Sequence, residues 1–259
     1  MTKKKKIIIC ISVTMVVLSF VSVLYVANQP YRLSKKLVRA IENEDMLVIN
    51  KILGDGFDPN TPTEKPSSWH KLFDIYSRVP LSIACRKGNY QIVQVLIQHG
   101  ATAEYCVGTG WSPLMETLFY YQPEDLEIVE LLLANGADPF QEQTSISPVF
   151  LASRMVPKQF DSNKTNGTVY NGEYDLEIAK QITMIVTLLL GDQSPNITDG
   201  SNETLLMQAA AVGNLYLVDY LLSIGADPTL QDVEGRTAYD YAIQNNQDDV
   251  AQLLKKHNQ

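Results

Sequence analysis

The feature that most restricts this chain is a period. The segment PLSIACRKGNYQIVQVLIQHGA begins at Pro80, and the matching proline of SPLMETLFYYQPEDLEIVELLLANGADP is Pro113, 33 residues later. The same interval separates Thr204 of TLLMQAAAVGNLYLVDYLLSIGADP from Thr237 of RTAYDYAIQNNQDDVAQLLKK, again 33 residues. Inside the units Gly88 and Gly100 lie 12 apart, as do Gly213 and Gly225. A fixed period of this size is the signature of a stacked array in which each supersecondary unit is completed only by its neighbours.

Each unit reads as a short helix, a glycine-containing turn, a second amphipathic helix and a Gly-stopped loop, with the pattern V-x-x-L-L then Gly-Ala-Asp-Pro at Val129–Pro139 and Val218–Pro228. The apolar spacing predicts that Ile92, Val93, Leu96 and Ile97, and likewise Ile128, Val129, Leu132 and Leu133, face a continuous core. Gly100, Gly136 and Gly225 are placed to take the left-handed conformation that ends a helix. Asp138, Asp227 and Asp232 read as carboxylates that structure loops. The polar run Gln244–Asp249 suits the outer face of a closing unit.

These residues resemble the ankyrin repeat, whose pattern T-P-L-H-x-A-A-x-x-G…V-x-x-L-L-x-x-G-A-D is matched from Leu37 to Leu254. The resemblance implies an all-α solenoid of about six helix-turn-helix units with loop or β-hairpin tips. The units begin at Leu37 (with Glu44 where glycine is usual), near Pro80 and Pro113, at Pro148 with resumption at Ile185, at Thr204 and at Gly235. The domain is expected to span residues 37–259, with insertions at about 61–79 and 155–175.

Departures from the pattern are where function is expected. The first insertion carries Trp69, with Phe73 and Tyr76; its aromatics either bind a partner or cover the start of the solenoid. The third unit gains residues between its helices and leaves Tyr120 and Tyr121 near the turn. The fourth carries FDSNKTNGTVYNGEY, read as a polar loop, in which Tyr170 and Tyr174 are contact candidates or tolerated surface drift. The resemblance implies that binding uses the loop tips and the inner helices. By position this marks Tyr105, Trp111, Glu142, Gln143, Val233, Glu234 and Arg236, and large aromatics and arginine are typical interface anchors.

Ahead of the array lie a basic flank at residues 1–6, an uncharged run at 7–27 and a linker at 28–36. Ile7 to Ala27 would make a helix of roughly 30 Å, about the thickness of the hydrocarbon core. No small-x-small cleavage site follows it, so an uncleaved anchor is favoured over a cleaved signal. Lys3, Lys4, Lys5 and Lys6 favour an inside N-terminus, although Arg32, Lys35, Lys36 and Arg39 follow the other end. The expected topology is therefore a single pass with the repeats outside the cytoplasm, and the compact anchor-plus-repeats layout favours a bacterial inner membrane with the repeats in the periplasm.

Setting aside those four lysines leaves 17 Lys+Arg against 29 Asp+Glu, a net charge of −12. Such a balance disfavours nucleic acid as a partner and suits a basic protein surface. The histidines His70, His99 and His257 stand at no metal-ligand spacing, and no nucleophile elbow or phosphate loop occurs, so neither metal nor cofactor nor catalysis is expected. Cys85 and Cys106 either pair outside the cytoplasm or leave Cys85 as a small core residue. The sequons at Asn163, Asn166, Asn196 and Asn202 are acceptors only in a glycosylating lumen. Short exported ankyrin proteins are similar to immunity proteins of secreted effectors. That resemblance implies a non-catalytic module that binds and inhibits a toxic enzyme, such as a phospholipase effector. The alternative is a structural adaptor that tethers a resident envelope protein.

Overall fold

The computed structural model describes residues 29–63, 79–104, 111–121, 125–141, 146–156, 158–160 and 170–257, with backbone alone for 158–160 and 170–174. Among them twelve helices succeed one another in helix-turn-helix pairs. The first pair is α1 (29–42) and α2 (Met46–Gly54), and the second is α3 (Pro80–Arg86) and α4 (Tyr90–Gln98). Next come α5 (Pro113–Phe119) with α6 (Leu126–Ala134), and α7 (Pro148–Ser153) with α8 (Leu176–Leu190). The array closes with α9 (Leu205–Val212) and α10 (Leu215–Ser223), then α11 (Ala238–Gln244) and α12 (Asp248–His257). From α3 onward, first helices pack on first helices, and from α2 onward second helices pack on second helices, giving two parallel rows.

Local chemistry makes each pair. In the tight turns the chain takes one left-handed residue and then an N-cap. Gly88 (φ 67°) precedes Asn89, whose side chain accepts from Ile92 N at 3.1 Å. Gly213 (φ 76°) precedes Asn214, which accepts from Leu217 N at 3.0 Å. The left-handed residue lets two amide N–H groups satisfy the last carbonyls of the first helix: Gly88 N donates to Cys85 O (3.0 Å) and Asn89 N to Ala84 O (3.4 Å). Glu44 (φ 56°) and Asn246 (φ 57°) hold the same conformation without being glycine.

Between the rows runs one apolar core, continuous from Leu37 to Leu254. Ile92, Val93, Leu96, Ile128, Val129 and Leu132 are each 0 % exposed, while Ile97 and Leu133 pack at its margin. Cys85, 1 % exposed, is a core side chain; Cys106 lies outside the described residues.

Three expectations need correction. Residues 29–36, expected as a linker, belong to helix α1, and Ser34 is buried there with its hydroxyl donating to Thr61 O at 2.7 Å. The 155–175 insertion is not all loop. Its ends pair as a two-stranded antiparallel ribbon, β1 (Lys158–Phe160) and β2 (Tyr170–Tyr174), beside α8. The physical reason is that both chain directions are set by α7 and α8, and the β-favouring Phe160, Tyr170 and Tyr174 fall where the segments leave and return side by side. The second helix of that unit also begins at Leu176, well before Ile185, because the Asp175 carboxylate caps it by accepting from Glu177 N (2.9 Å) and Ile178 N (3.2 Å). At 15 residues it is longer than the 9-residue second helices beside it.

No helix among the described residues is long and apolar enough to cross a membrane; the expected span at 7–27 lies outside them.

Loops between units carry a second repeating motif. Asp58, Asp138 and Asp227 each accept, through Oδ1, from the backbone N–H two residues on: Asn60 (2.9 Å), Phe140 (2.8 Å) and Thr229 (2.8 Å). At two joints the residue after the loop proline also reaches the next unit. Asn60 donates to Gly100 O (2.8 Å) and accepts from Thr102 N (2.9 Å). Asn196 donates to Gly225 O (3.3 Å) and accepts from Asp227 N (2.8 Å). Phe140 and Thr229 occupy the corresponding place elsewhere.

Candidate binding surface

Helix α5 sets the surface. Ser112 caps it by accepting from Met115 N (3.2 Å), Pro113 fixes its first turn, and Leu114, Met115, Thr117 and Leu118 point into the core. That orientation leaves the end of the helix, Phe119 and Tyr120, facing solvent at 44 % and 45 % exposure. Trp111, just ahead of the cap, turns its ring edge-on to Phe119, with centroids 4.9 Å apart at 79°. Phe119 meets Tyr120 in the same manner, 5.0 Å apart at 75°. Edge-to-face pairs of this kind are worth about 0.5–1.5 kcal/mol beyond the area they bury, so the aromatic run is held in shape before any partner arrives.

The neighbouring units add arginines at the same register. Arg86, Phe119 and Arg154 each stand six residues after the proline that opens their first helix: Pro80, Pro113 and Pro148. The Arg86 guanidinium lies 5.9 Å from the Tyr120 ring centroid, a cation–π contact. Arg154 reaches into the fifth unit, donating to the Gln208 side-chain oxygen and standing 3.4 Å from Glu203 and 3.6 Å from Asp199. Between the third and fourth units opens a cleft of about 200 Å³ lined by Leu118, Phe119, Tyr121, Leu151, Arg154, Met155 and Val156.

Of the residues marked by sequence, Trp111, Tyr120 and Tyr121 thus gather on one face. Val233, Glu234 and Arg236 sit apart, at the tip of the last inter-unit loop. Val233 is 66 % exposed, with its backbone N–H donating to Ser201 O (3.1 Å). Arg236 is engaged internally: it holds Asp232 Oδ2 (2.7 Å), Glu234 (3.1 Å) and the Tyr241 hydroxyl (2.9 Å). Trp69, Tyr105, Glu142 and Gln143 lie outside the described residues. Tyr170 and Tyr174 lie in β2, described by its backbone alone. Phe119 and Arg86 were missed by sequence reading. Comparing one register across units would have found them, because the sixth residue after the opening proline falls at the end of the first helix, past its buried middle.

The strongly perturbed pair Asp232 and Tyr241 is structural. Asp232, 6 % exposed, is pushed up by burial. Four donors outweigh that effect and hold its carboxyl well below the usual range: Arg236 N–H, the Tyr241 hydroxyl, the Arg236 guanidinium and Glu234 N–H. Tyr241 is pushed up, by burial first and then by its bond to Asp232. With every oxygen saturated, this carboxylate has no lone pair left for a substrate proton. Among the described residues no group of His, Cys, Asp and Glu is placed to hold a metal ion. The geometry offers contact surface.

A family model described as "Ankyrin repeats (3 copies)" matches residues 37–143 and 177–259. The chain is 34 % identical over 96 residues to the "2-5A-dependent ribonuclease" of Mus musculus, covering 36 % of this chain and 13 % of that protein. It is 27 % identical over 181 residues to "Ankyrin repeat and KH domain-containing protein mask-1" of Caenorhabditis elegans, covering 68 % of this chain and 7 % of that protein. In both cases only a small part of the relative's length is spanned.

Proposed function

Because the chain belongs to the ankyrin-repeat family, whose arrays serve as protein-interaction modules, we propose that it is a non-catalytic binding protein that captures and inhibits a secreted toxic enzyme. In this reading residues 7–27 tether it to a bacterial inner membrane and the repeats face the periplasm, where an incoming toxin arrives. The observation that carries the proposal is the preformed run Trp111–Phe119–Tyr120 beside the cleft between the third and fourth units. A rigid aromatic edge loses little conformational freedom on docking, which is what tight occlusion of an enzyme cleft requires. The ribonuclease relative lends no activity, since the match covers 13 % of that protein.

The test is a crosslinked pull-down with the full chain from its native organism, alongside the products of adjacent genes. Capture of a hydrolase whose activity is lost in the complex, and whose capture falls when Phe119 becomes alanine, is the expected result. Recovery of resident envelope proteins alone, with no neighbour inhibited, overturns the inhibitor role in favour of a tethering adaptor.

A further inference from the structure

The net charge of −8 points to a basic partner, but the charge at the aromatic face points the other way. Arg86 stacks on Tyr120, and among the described residues no carboxylate lies within ion-pair distance of its guanidinium. The flanking cations each stand within ion-pair distance of a carboxylate, which among the described residues Arg86 does not. Lys87 lies 3.8 Å from Glu44 and donates to Glu42 O (2.9 Å), and Arg154 is held by Glu203 and Asp199. A guanidinium lying over a ring keeps its N–H edge outward, ready for the two oxygens of a carboxylate. Screening confines each charge to about 8–10 Å at physiological salt, so a docked segment feels Arg86 more than the acidic remainder of the chain.

From these observations we infer that the segment seated on this face is an acidic peptide of the protein partner. One Asp or Glu lies on Arg86, and one large apolar side chain enters the cleft formed by Leu118, Tyr121, Leu151, Met155 and Val156 against Phe119. Packed helices lie about 8–10 Å apart, so Arg86 in the second unit and the cleft beyond the third are separated by roughly 10–20 Å. Extended chain advances about 3.3 Å per residue, which places the acid and the apolar anchor roughly three to six residues apart. The apolar seat disfavours a nucleic-acid phosphate as occupant. This inference rests on the binding-module reading and specifies the partner's chemistry.

A phage library of random twelve-residue peptides, selected on the full chain, provides the test. The selected peptides are resynthesised and titrated against wild type, Arg86→Lys, Arg86→Glu and Phe119→Ala, with melting curves to verify that each variant folds. The expected result is enrichment of Asp or Glu at that spacing from Leu, Phe or Trp. Arg86→Glu should weaken binding roughly 10- to 100-fold and Arg86→Lys by less, because a charge without the fork remains. A library selected on Arg86→Glu should turn to Lys and Arg. Peptides that need Phe119 but bind wild type and Arg86→Glu equally overturn the acidic partner and leave the binding module standing. Peptides indifferent to both positions, or no peptide at all, overturn this face as the binding site as well.

Discussion

The Tyr241 hydroxyl donates to Oδ2 of Asp232 across 2.8 Å, and the Arg236 guanidinium holds the same oxygen at 2.7 Å. A phenol from helix α11 and the loop ahead of it are thereby locked to one buried anion. Removing that anion takes away the acceptor that both donors share, leaving the guanidinium only the Tyr241 hydroxyl and the exposed Glu234.

Asp232→Asn is therefore expected to destabilise the closing unit by about 3 kcal/mol, the cost of breaking a buried charge pair from one side. The folded carboxyl titrates below its unfolded value of about 3.9, so its contribution is complete above that pH and fades as pH falls further. Urea midpoints at pH 7, 4 and 3 check both points. Wild type should lose stability on the acid side of pH 4, and the variant should start lower and lose less.

Asn60 and Asn196 tie consecutive loops with two hydrogen bonds each. Either change to alanine should cost about 1 kcal/mol, since these exposed groups recover much of their bonding from water. The two joints share no partner, so the double variant should show the sum of the single effects. Denaturant titration of the three variants decides it; a sum that fails by more than about 0.5 kcal/mol would mean that the joints communicate.

Glu44 and Gly88 occupy the same left-handed turn in successive units, and they should respond in opposite directions. Glu44→Gly relieves a conformation that costs an ordinary residue about 1–2 kcal/mol. It gives up an exposed pair with Lys87 worth little and adds glycine's entropy cost, for a net gain of about 0.5 kcal/mol. Gly88→Ala would set a Cβ 2.5 Å from Asp125 Oδ1 while keeping φ at 67°, and should lose roughly 1–3 kcal/mol. Thermal melts of both variants test the pair together.

Two sequons among the described residues differ in what their asparagines do. Asn202 is exposed at a turn tip with φ 58°, whereas the Asn196 amide is spent on Gly225 and Asp227. Expressed through a glycosylating secretory pathway, the chain should carry glycan at Asn202 and not at Asn196. Site-resolved mass spectrometry reads the occupancy directly, and full occupancy of Asn196 in folded protein would show that the clasp is dispensable.

What was legible in the sequence is what local chemistry decides. The period, the V-x-x-L-L faces, the glycine stops and the loop carboxylates Asp138, Asp227 and Asp232 each depend on a few neighbouring residues, and the structure uses them as their types require. Relations between units were not legible. Nothing near Asn60 in sequence announces Gly100, and nothing near Arg86 announces Tyr120; both pairings exist only once the stack has formed. Arg236 stands at a loop tip in the sequence, but the oxygen that holds it in the fold belongs to Asp232, whose burial no local pattern reveals. The early start of α8 was hidden by the polar insertion, although Asp175 ahead of an apolar run was a visible capping signal.

The ribbon of β1 and β2 interrupts the fourth unit between its two helices and leaves the joints between units alone. Because α7 and α8 are each pinned by their neighbours in the rows, the segment between them spans two fixed posts. Doubling its length would then cost only about 0.6 kcal/mol of closure entropy. Selection can therefore lengthen, shorten or rewrite this stretch while the array keeps its register. New recognition sequences can be tried there, beside the cleft, without risk to the scaffold that displays them.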